Sequence, residues 1–300
     1  MLPSEKTLEE FLVEMGYVRG VPYEADVFQK EKDKLFKMLG DLPDLLKRSR
    51  AIIAGGAITS LMTNREINDF DLYYRDKEGL SVFLAGALSQ EWGYLRFTHH
   101  TDRTVLMTDH NSAKIQAVAY KLFPTVEDVF NDFDFTVNMA AYDFAEDKFV
   151  FHPKFFKHNA QRYLEINTNT AYPLSSVMRV DKYREKGYKV SKQQLFKLLF
   201  RIADMNISNW DEAIDHLSGM YGVDPKKLFD QEKEFSINEV IAQLDKVESC
   251  EDNWMMSNPS VEELGQHLKD KLTEDVYKAM TRQGKKLYYS DDWLDFVPED

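Results

Sequence analysis

The order of hydrophobic and polar residues divides the chain into a first part of mixed pattern and a second part of helical spacing. Apolar residues recur every three or four positions across residues 7–48 and 78–91, which is typical of helices. Short apolar or alternating runs instead predict strands, at residues 51–54, 69–74, 94–98, 103–108 and 114–120. The first part of the chain therefore mixes the two kinds of element.

The pattern changes near residue 155. Before that point, short helices are predicted at 57–63 and at 127–133, the second with Thr125 as its N-cap, and residues 134–143 and 148–152 complete an α+β unit. After it, helical spacing dominates at residues 174–186, 192–204, 210–217, 225–247 and 260–282. We expect an α+β fold in three parts: an N-terminal helical segment (1–48), a head with a mixed or antiparallel sheet (49–155) and an all-α body (156–300).

The most informative block is IIAGGAITSLMTNREINDFDLYY, residues 52–74. A strand ends at Gly55–Gly56, a helix-compatible stretch follows, and the next strand opens with Asp69 and Asp71. Glycines adopt backbone angles that other residues avoid, so a triphosphate can approach the main chain there. A helix that begins at such a bend directs free N–H groups at phosphates.

The two aspartates lie two residues apart on a predicted strand, so their side chains face the same way and Phe70 faces the core. Adjacent carboxylates repel each other unless a cation lies between them. Mg²⁺ prefers oxygen ligands and accepts a few protein ligands together with substrate phosphates. The pattern therefore predicts that Asp69 and Asp71 hold Mg²⁺ or Mn²⁺ and carry catalysis on a nucleoside triphosphate.

The diglycine, the short helix and the DxD strand at this spacing resemble the head of the DNA polymerase beta superfamily of nucleotidyltransferases. The resemblance is strongest to the bacterial-type tRNA CCA-adding enzymes and poly(A) polymerases. It covers about residues 50–190 and implies transfer of a nucleoside monophosphate to an acceptor hydroxyl, with pyrophosphate leaving. Arg65 falls where these enzymes often carry a basic residue.

Two further motifs extend the resemblance. The run DFTVN from Asp134 to Asn138, followed by Tyr142-Asp143, is similar to a family motif whose aspartate lies near the nucleotide ribose. By that resemblance Asp134 takes this role or adds a third acidic group, and we also expect Asn138 to contact the nucleotide. A Pro-Leu, basic helix and Gly-aromatic sequence places Arg179 and Lys182 on one helix face, where they can meet a triphosphate.

The departures from the family are as informative. Thr59 and Ser60 replace the arginine and aspartate that follow the glycine pair, and we expect their hydroxyls to help cradle the β- and γ-phosphates. The stretch at 171–175 reads AYPLS and lacks the groups that select C and A, so CCA addition is not predicted. On the strand at 114–120, Lys114 is expected to contact a phosphate. Gln116 stands near the place of a third carboxylate in other branches and carries no charge.

The composition restricts the acceptor. The chain has 300 residues and a formal net charge of −13, so a long nucleic acid can be held only through a local basic patch. That patch is expected from residues Lys154, Lys157, His158, Arg162, Lys182, Arg184, Lys186 and Lys189. A tRNA-like RNA is the first acceptor we expect. A protein or small-molecule acceptor is the second reading, and a degenerate nucleotide-binding module is the third.

The remaining composition points to a cytoplasmic setting. The chain has one cysteine, no 18-residue apolar run and no signal-like N-terminus, so we expect neither disulfides nor membrane insertion. A small, departed version of this family is typical of phages, which would place it in the host cytoplasm. Oligomeric state and the base transferred stay open.

Overall fold

The structure is a computed structural model that describes residues 27–89, 95–100, 104–108, 113–170, 172–217, 229–244 and 261–282. The helical pattern expected before residue 27 lies outside these residues. Contacts divide the chain into two compact units, which are described separately. The first contains described residues of 1–130, 137–159 and 258–300, and the second contains those of 131–136 and 160–257.

The first unit is built on a seven-stranded sheet with the order β3-β4-β5-β2-β1-β6-β7. Its strands are β1 (Ile52–Ala54), β2 (Asp69–Tyr73), β3 (Arg96–His100), β4 (Thr104–Thr108), β5 (Lys114–Val118), β6 (Ala140–Asp143) and β7 (Lys148–Phe151). Strands β2 and β5 run parallel and the other pairs run antiparallel. The sheet is therefore mixed, and the predicted α+β fold class is confirmed.

Five of the next six helices share a buried core with this sheet, whereas the fifth in chain order, Val126–Asp132, adds no residue to that core. In chain order they are α1 (Gln29–Leu39), α2 (Leu42–Arg48), α3 (Gly56–Met62), α4 (Lys77–Ser89), α5 (Val126–Asp132) and α6 (Phe155–Gln161). Thr125 begins α5 as predicted: its hydroxyl accepts the Asp128 N–H at 3.1 Å, and the Asp128 carboxylate accepts the Thr125 N–H at 3.0 Å. Sheet residues such as Phe70, Leu72 and Ile115 are buried in the shared core.

Two helices from the end of the described chain complete this core. The helices α11 (Val261–His267) and α12 (Glu274–Arg282) bury Leu264, Leu268, Leu272 and Met280 in the same cluster as the sheet. The sequence had placed these residues in the helical body as one helix at 260–282. The helix is interrupted at Leu268–Thr273, where the Thr273 N–H donates to the Ser81 hydroxyl at 2.8 Å.

The second unit is helical apart from one small parallel strand pair. Its elements are β8 (Tyr163–Leu164), α7 (Pro173–Glu185), β9 (Lys189–Val190), α8 (Lys192–Ala203), α9 (Trp210–Leu217) and α10 (Ile237–Leu244). Helix α7 ends at Glu185 and is followed by Gly187, whose φ of +85° suits glycine, and the Tyr188 N–H donates to the Tyr183 carbonyl.

Helix α10 is shorter than the sequence suggested. A helix was expected over 225–247, but residues 229–236 form turns and irregular structure. The chain bends near Asp230, whose N–H donates to the Gln243 side chain, and the Ser236 hydroxyl accepts the Glu239 N–H.

Among all the residues that the structure describes, no helix is long and apolar enough to cross a bilayer.

Candidate active site

The two aspartates of the DxD motif lie side by side on β2, on the more open face of the sheet. Along β2, Asp69 and Asp71 are partly exposed, whereas Phe70 and Leu72 between and after them are buried. This alternation is the pleat of a strand with one face in the core. The sequence prediction that both carboxylates project to the same side is therefore matched by the strand.

The neighbouring parallel strand adds two polar side chains to this face. The β2–β5 register sets Asp69 opposite Lys114 and Asp71 opposite Gln116. Lys114 is exposed and Gln116 is half-buried, and Ile115 between them is buried. A cation and a neutral amide therefore stand beside the two carboxylates, with the amide beside Asp71.

The diglycine bend lies at the same place on the other side of β2. In the antiparallel β1–β2 pair, Ala54 is opposite Asp71, and directly opposed residues have Cα atoms about 5 Å apart. The chain turns away at Gly55, which has φ +83° and ψ −132°, and its N–H donates to the Ala140 carbonyl at 3.0 Å. Gly56 is exposed, and a Cβ placed on it meets no atom within 4 Å. The bend leaves open space beside the aspartates.

Thr59 fixes this bend instead of facing open space. It is buried, with its hydroxyl 2.8 Å from the Gly55 carbonyl oxygen and 3.0 Å from that of Val137. The Asn159 side chain also donates to the Val137 carbonyl, at 3.0 Å. These contacts tie the diglycine bend to the turn of the DFTVN motif. Asn159 was not identified from the sequence, because nothing in its local pattern marks it.

Ser60 lies in α3, and Arg65 lies in the connection from α3 to β2. Both are half-buried, and the Arg65 N–H donates to the Ser60 carbonyl at 2.8 Å. Arg65 stands four residues before Asp69 and has a contact of its own. Asn138, the last residue of the DFTVN run, is buried in the same unit.

Asp134 and Arg179 form an ion pair inside the second unit. The Arg179 Nε lies 3.0 Å from an Asp134 carboxylate oxygen, and the Asp134 side chain is only 4% exposed. Asn167 supports the aspartate, since its N–H donates to the Asp134 carbonyl and its side chain to that of Phe133. Lys182, one turn beyond Arg179 on α7, is exposed. The sequence had singled out Asp134 and Arg179 separately and had not paired them.

Part of the expected basic patch is gathered around β8 and β9. The Arg162 side chain donates to the Lys186 carbonyl at 2.9 Å, and the Lys189 N–H donates to the Arg162 carbonyl at 2.7 Å. Arg184 instead pairs with Asp181 on its own helix. Of the other expected members, Lys154, Lys157 and His158 belong to the first unit, where His158 is buried.

An ion pair that the sequence did not suggest lies just beyond the end of β2, where both side chains are largely buried. Arg75 follows β2, and its guanidinium lies 2.6 Å from the Asp143 carboxylate and donates to the Pro124 carbonyl at 2.9 Å. The other Asp143 oxygen accepts the Ala145 N–H at 3.0 Å. This pair joins the end of β2 to the end of β6. Finding it requires the strand order, which local patterns do not contain.

The donor set is suited to a divalent metal that also binds substrate. Among the described residues, no group of three or more Asp, Glu, His or Cys side chains is placed to hold a metal ion. Two carboxylates on one strand, with open space at Gly56, agree with an ion that takes its other oxygens from phosphates and water. Gln116, which stands near the place where a third carboxylate was considered, adds no charge.

Comparisons with known proteins place the chain near a phage family. Residues 26–162, just under half of the chain, match the family described as "Gabija anti-defense 2 family protein". Among solved structures, the chain is similar to the Thermotoga maritima CCA-adding enzyme complexed with tRNA, at 13% identity and a TM-score of 0.42, covering 82% of this chain and 68% of that one. A CCA-adding enzyme complexed with ATP gives 13% identity and a TM-score of 0.44, covering 92% and 71%.

A curated relative is a phage protein whose name contains the term anti-defense. Over 212 residues the chain is 42% identical to "Gabija anti-defense 2" of Bacillus phage SPbetaL7, which covers 70% of this chain and 52% of the phage protein. The chain thus spans about half the length of that relative. It is similar to this phage anti-defense protein over more than two thirds of its own residues.

Proposed function

We propose that the chain is a Gabija anti-defense 2 protein that acts as a metal-dependent nucleotidyltransferase. The observation that carries the proposal is the register on the open face of the sheet. Asp69 and Asp71 face the same side of β2, Asp71 is opposite Ala54 at the diglycine bend, and Lys114 stands opposite Asp69. This combination has a use in triphosphate chemistry, and a sheet does not need it for stability.

The reaction is an in-line displacement at the α-phosphorus of a nucleoside triphosphate. The acceptor hydroxyl oxygen forms the new bond to phosphorus, the bond to the bridging oxygen breaks, and pyrophosphate leaves with its electron pair. The hydroxyl proton passes to solvent or to one of the two carboxylates. Asp69 and Asp71 would hold a divalent metal, which would neutralise charge on the reacting phosphates and lower the pKa of the attacking hydroxyl.

The other residues have binding roles. Gly56 leaves room for phosphates to approach the main chain, and Ser60 offers a hydroxyl near them. Lys114 and Arg65 neutralise triphosphate charge. By the sequence resemblance, Asp134, Asn138, Arg179 and Lys182 contact the nucleotide. Thr59 acts as a positioning residue, because its hydroxyl is directed at two backbone carbonyls.

We propose the 3′ end of an RNA as the acceptor. The basic residues Arg162, Lys186 and Lys189 lie together around β8 and β9, although the whole chain has a net charge of −13. A local positive surface on an acidic protein suits a short RNA contact and does not suit a long one.

Modification of a protein or small molecule is the second candidate. Two observations favour it. The relative is named as an anti-defense protein. The acidic chain repels nucleic acid everywhere except near the basic residues around β8 and β9. A degenerate nucleotide-binding module is the third. The partly exposed aspartate pair weighs against it, because a module without catalysis has no need of two adjacent carboxylates.

Label transfer separates these candidates. The chain is incubated with Mg²⁺ and each NTP labelled at the α-phosphate, first with total RNA and then with bacterial protein extract. Labelled RNA supports the first acceptor, labelled protein or small molecules the second, and NTP binding without transfer the third. A parallel reaction with γ-labelled NTP gives labelled pyrophosphate if the chemistry is nucleotidyl transfer. Labelled acceptor in that reaction would show phosphoryl transfer and refute the proposal.

The anti-defense role has its own test. Bacteria that carry the Gabija defence are infected with a sensitive phage, with and without expression of the chain. The proposal predicts that plaques form only when the chain is expressed. Equal plating in both cultures would remove the anti-defense role and leave the enzymatic proposal standing.

A further inference from the structure

Helix α8 has an apolar face that is left exposed among the residues of the second unit that the structure describes. Phe196, Leu199 and Phe200 are 57%, 55% and 73% exposed, whereas Gln194 and Leu198 of the same helix are buried. At 100° per residue the three exposed side chains lie on the side opposite the buried pair. The Phe196 and Phe200 rings are 6.4 Å apart, so they form one patch. An exposed apolar patch of this kind marks an interaction surface.

Helix α10 carries a second exposed stripe. Ile237, Ile241 and Leu244 are 50%, 52% and 37% exposed and follow the spacing i, i+4, i+7 along one side of the helix. Val240 and Gln243 are buried on the packed side. Two exposed apolar stripes of similar length therefore exist within one unit, each on a short helix.

The charges of these two surfaces are opposite. Helix α8 contains Lys192, Lys197 and Arg201 and no acidic residue, a net charge of +3. The described segment 229–244, which includes α10, has four acidic residues and one lysine, a net charge of −3. The acidic residues are Asp230, Glu232, Glu234 and Glu239.

We infer that α8 of one copy of the chain packs on α10 of a second copy. Pairing α8 with α8 opposes +3 with +3, and pairing the segment 229–244, which contains α10, with its own copy opposes −3 with −3. Only α8 against α10 covers both apolar stripes and also joins opposite charges. Such a contact is heterologous, so each copy keeps one free surface and assembly continues unless a ring closes. The helices are short, which predicts a weak contact that forms at tens of micromolar.

Sedimentation equilibrium of the full chain between about 5 and 200 μM tests the inference. The expected result is an average mass that rises with concentration. Phe200→Glu and, separately, Ile241→Glu should each raise the Kd of self-association at least tenfold. Met178→Glu is the matched control, because Met178 is 63% exposed in the same unit but lies outside both stripes. Circular dichroism confirms that each variant is folded.

Mixing the two variants gives the sharper result. The Phe200→Glu chain keeps an intact α10, and the Ile241→Glu chain keeps an intact α8. The mixture should form a dimer and nothing larger, although each variant alone stays monomeric. A wild-type monomer throughout the range would overturn the inference. So would self-association that Ile241→Glu leaves unchanged, since that indicates an α8–α8 contact.

Discussion

At the scale of single residues, Lys114 is the cation closest in register to the aspartate pair. It is exposed and stands opposite Asp69 on the parallel strand. Lys114→Met should raise the KM for the NTP about tenfold, because one charge on the triphosphate is no longer neutralised. Lys77→Met, at an exposed lysine of the same unit, is the control. Unchanged kinetics in Lys114→Met would remove this residue from the site.

A second residue-scale prediction concerns Asp147, which joins helix α1 to the turn between β6 and β7. Burial alone would raise the pKa of its carboxyl group, but hydrogen bonds from Lys32 and Tyr142 outweigh burial and leave this pKa below its usual value. A lowered pKa contributes stability above the usual Asp range, and the contribution is lost as the pH falls through the folded-state value. The carboxylate is partly exposed, so the effect is below about 1 kcal/mol.

Urea unfolding of Asp147→Asn checks this expectation. The variant should have a lower free energy of unfolding than wild type at pH 7. The difference should shrink below about pH 4, where the wild-type carboxyl begins to protonate. A constant difference from pH 7 to pH 3 would show that charge is not the cause.

Strand alternation predicted the orientation of the DxD side chains, but it did not predict which residues lie beside them in the sheet. The side on which Asp69 and Asp71 project follows from strand alternation alone. Lys114 was selected by its own strand pattern, but its position opposite Asp69 depends on the parallel pairing of β2 with β5. The Arg75–Asp143 pair joins residues 68 positions apart, so only the folded sheet brings them together.

At the scale of elements, the diglycine bend combines a structural glycine with an open one. Gly55 has φ +83°, which an L side chain rarely adopts, so Gly55→Ala should lower the free energy of unfolding by about 1–3 kcal/mol. Gly56→Ala adds a methyl group in open space and should leave stability unchanged.

The same pair of variants tests whether phosphates approach the bend. Gly56→Ala should keep its melting temperature but lose NTP affinity, because the methyl group occupies the space that the proposal assigns to phosphates. Thermal unfolding and NTP titration on the same preparation measure both. Normal NTP affinity in a folded Gly56→Ala protein would place the triphosphate elsewhere.

Most strands and helices of the head followed from local pattern, including the Thr125 cap of α5, although α6 was not predicted. Two helices that were predicted later in the chain differ from the structure. The helices expected over 225–247 and 260–282 were too long, because the chain bends at Asp230 and between α11 and α12. At the first bend the Asp230 N–H donates to the Gln243 side chain, and at the second the Thr273 N–H donates to the Ser81 hydroxyl. These partners are distant in sequence, so a local pattern does not reveal them.

At the scale of the whole molecule, residues far along the chain complete the core of the head. Leu268 is fully buried among head residues. Leu268→Ala should lower the free energy of unfolding by about 2–5 kcal/mol, as large-to-small core changes do. Leu199→Ala, at a 55% exposed position, is the control. Equal stability of the two variants in chemical denaturation would contradict this account of the core.

The central claim is that Asp69 and Asp71 together hold the metal that serves nucleotidyl transfer. The most direct test measures α-labelled NTP transfer and Mn²⁺ binding for Asp69→Asn, Asp71→Asn and the exposed-site control Asp44→Asn. The account predicts that either site variant loses at least about a thousandfold in transfer and loses Mn²⁺ binding, at an unchanged melting temperature, while Asp44→Asn keeps both. Full transfer by a folded Asp69→Asn or Asp71→Asn protein would contradict it.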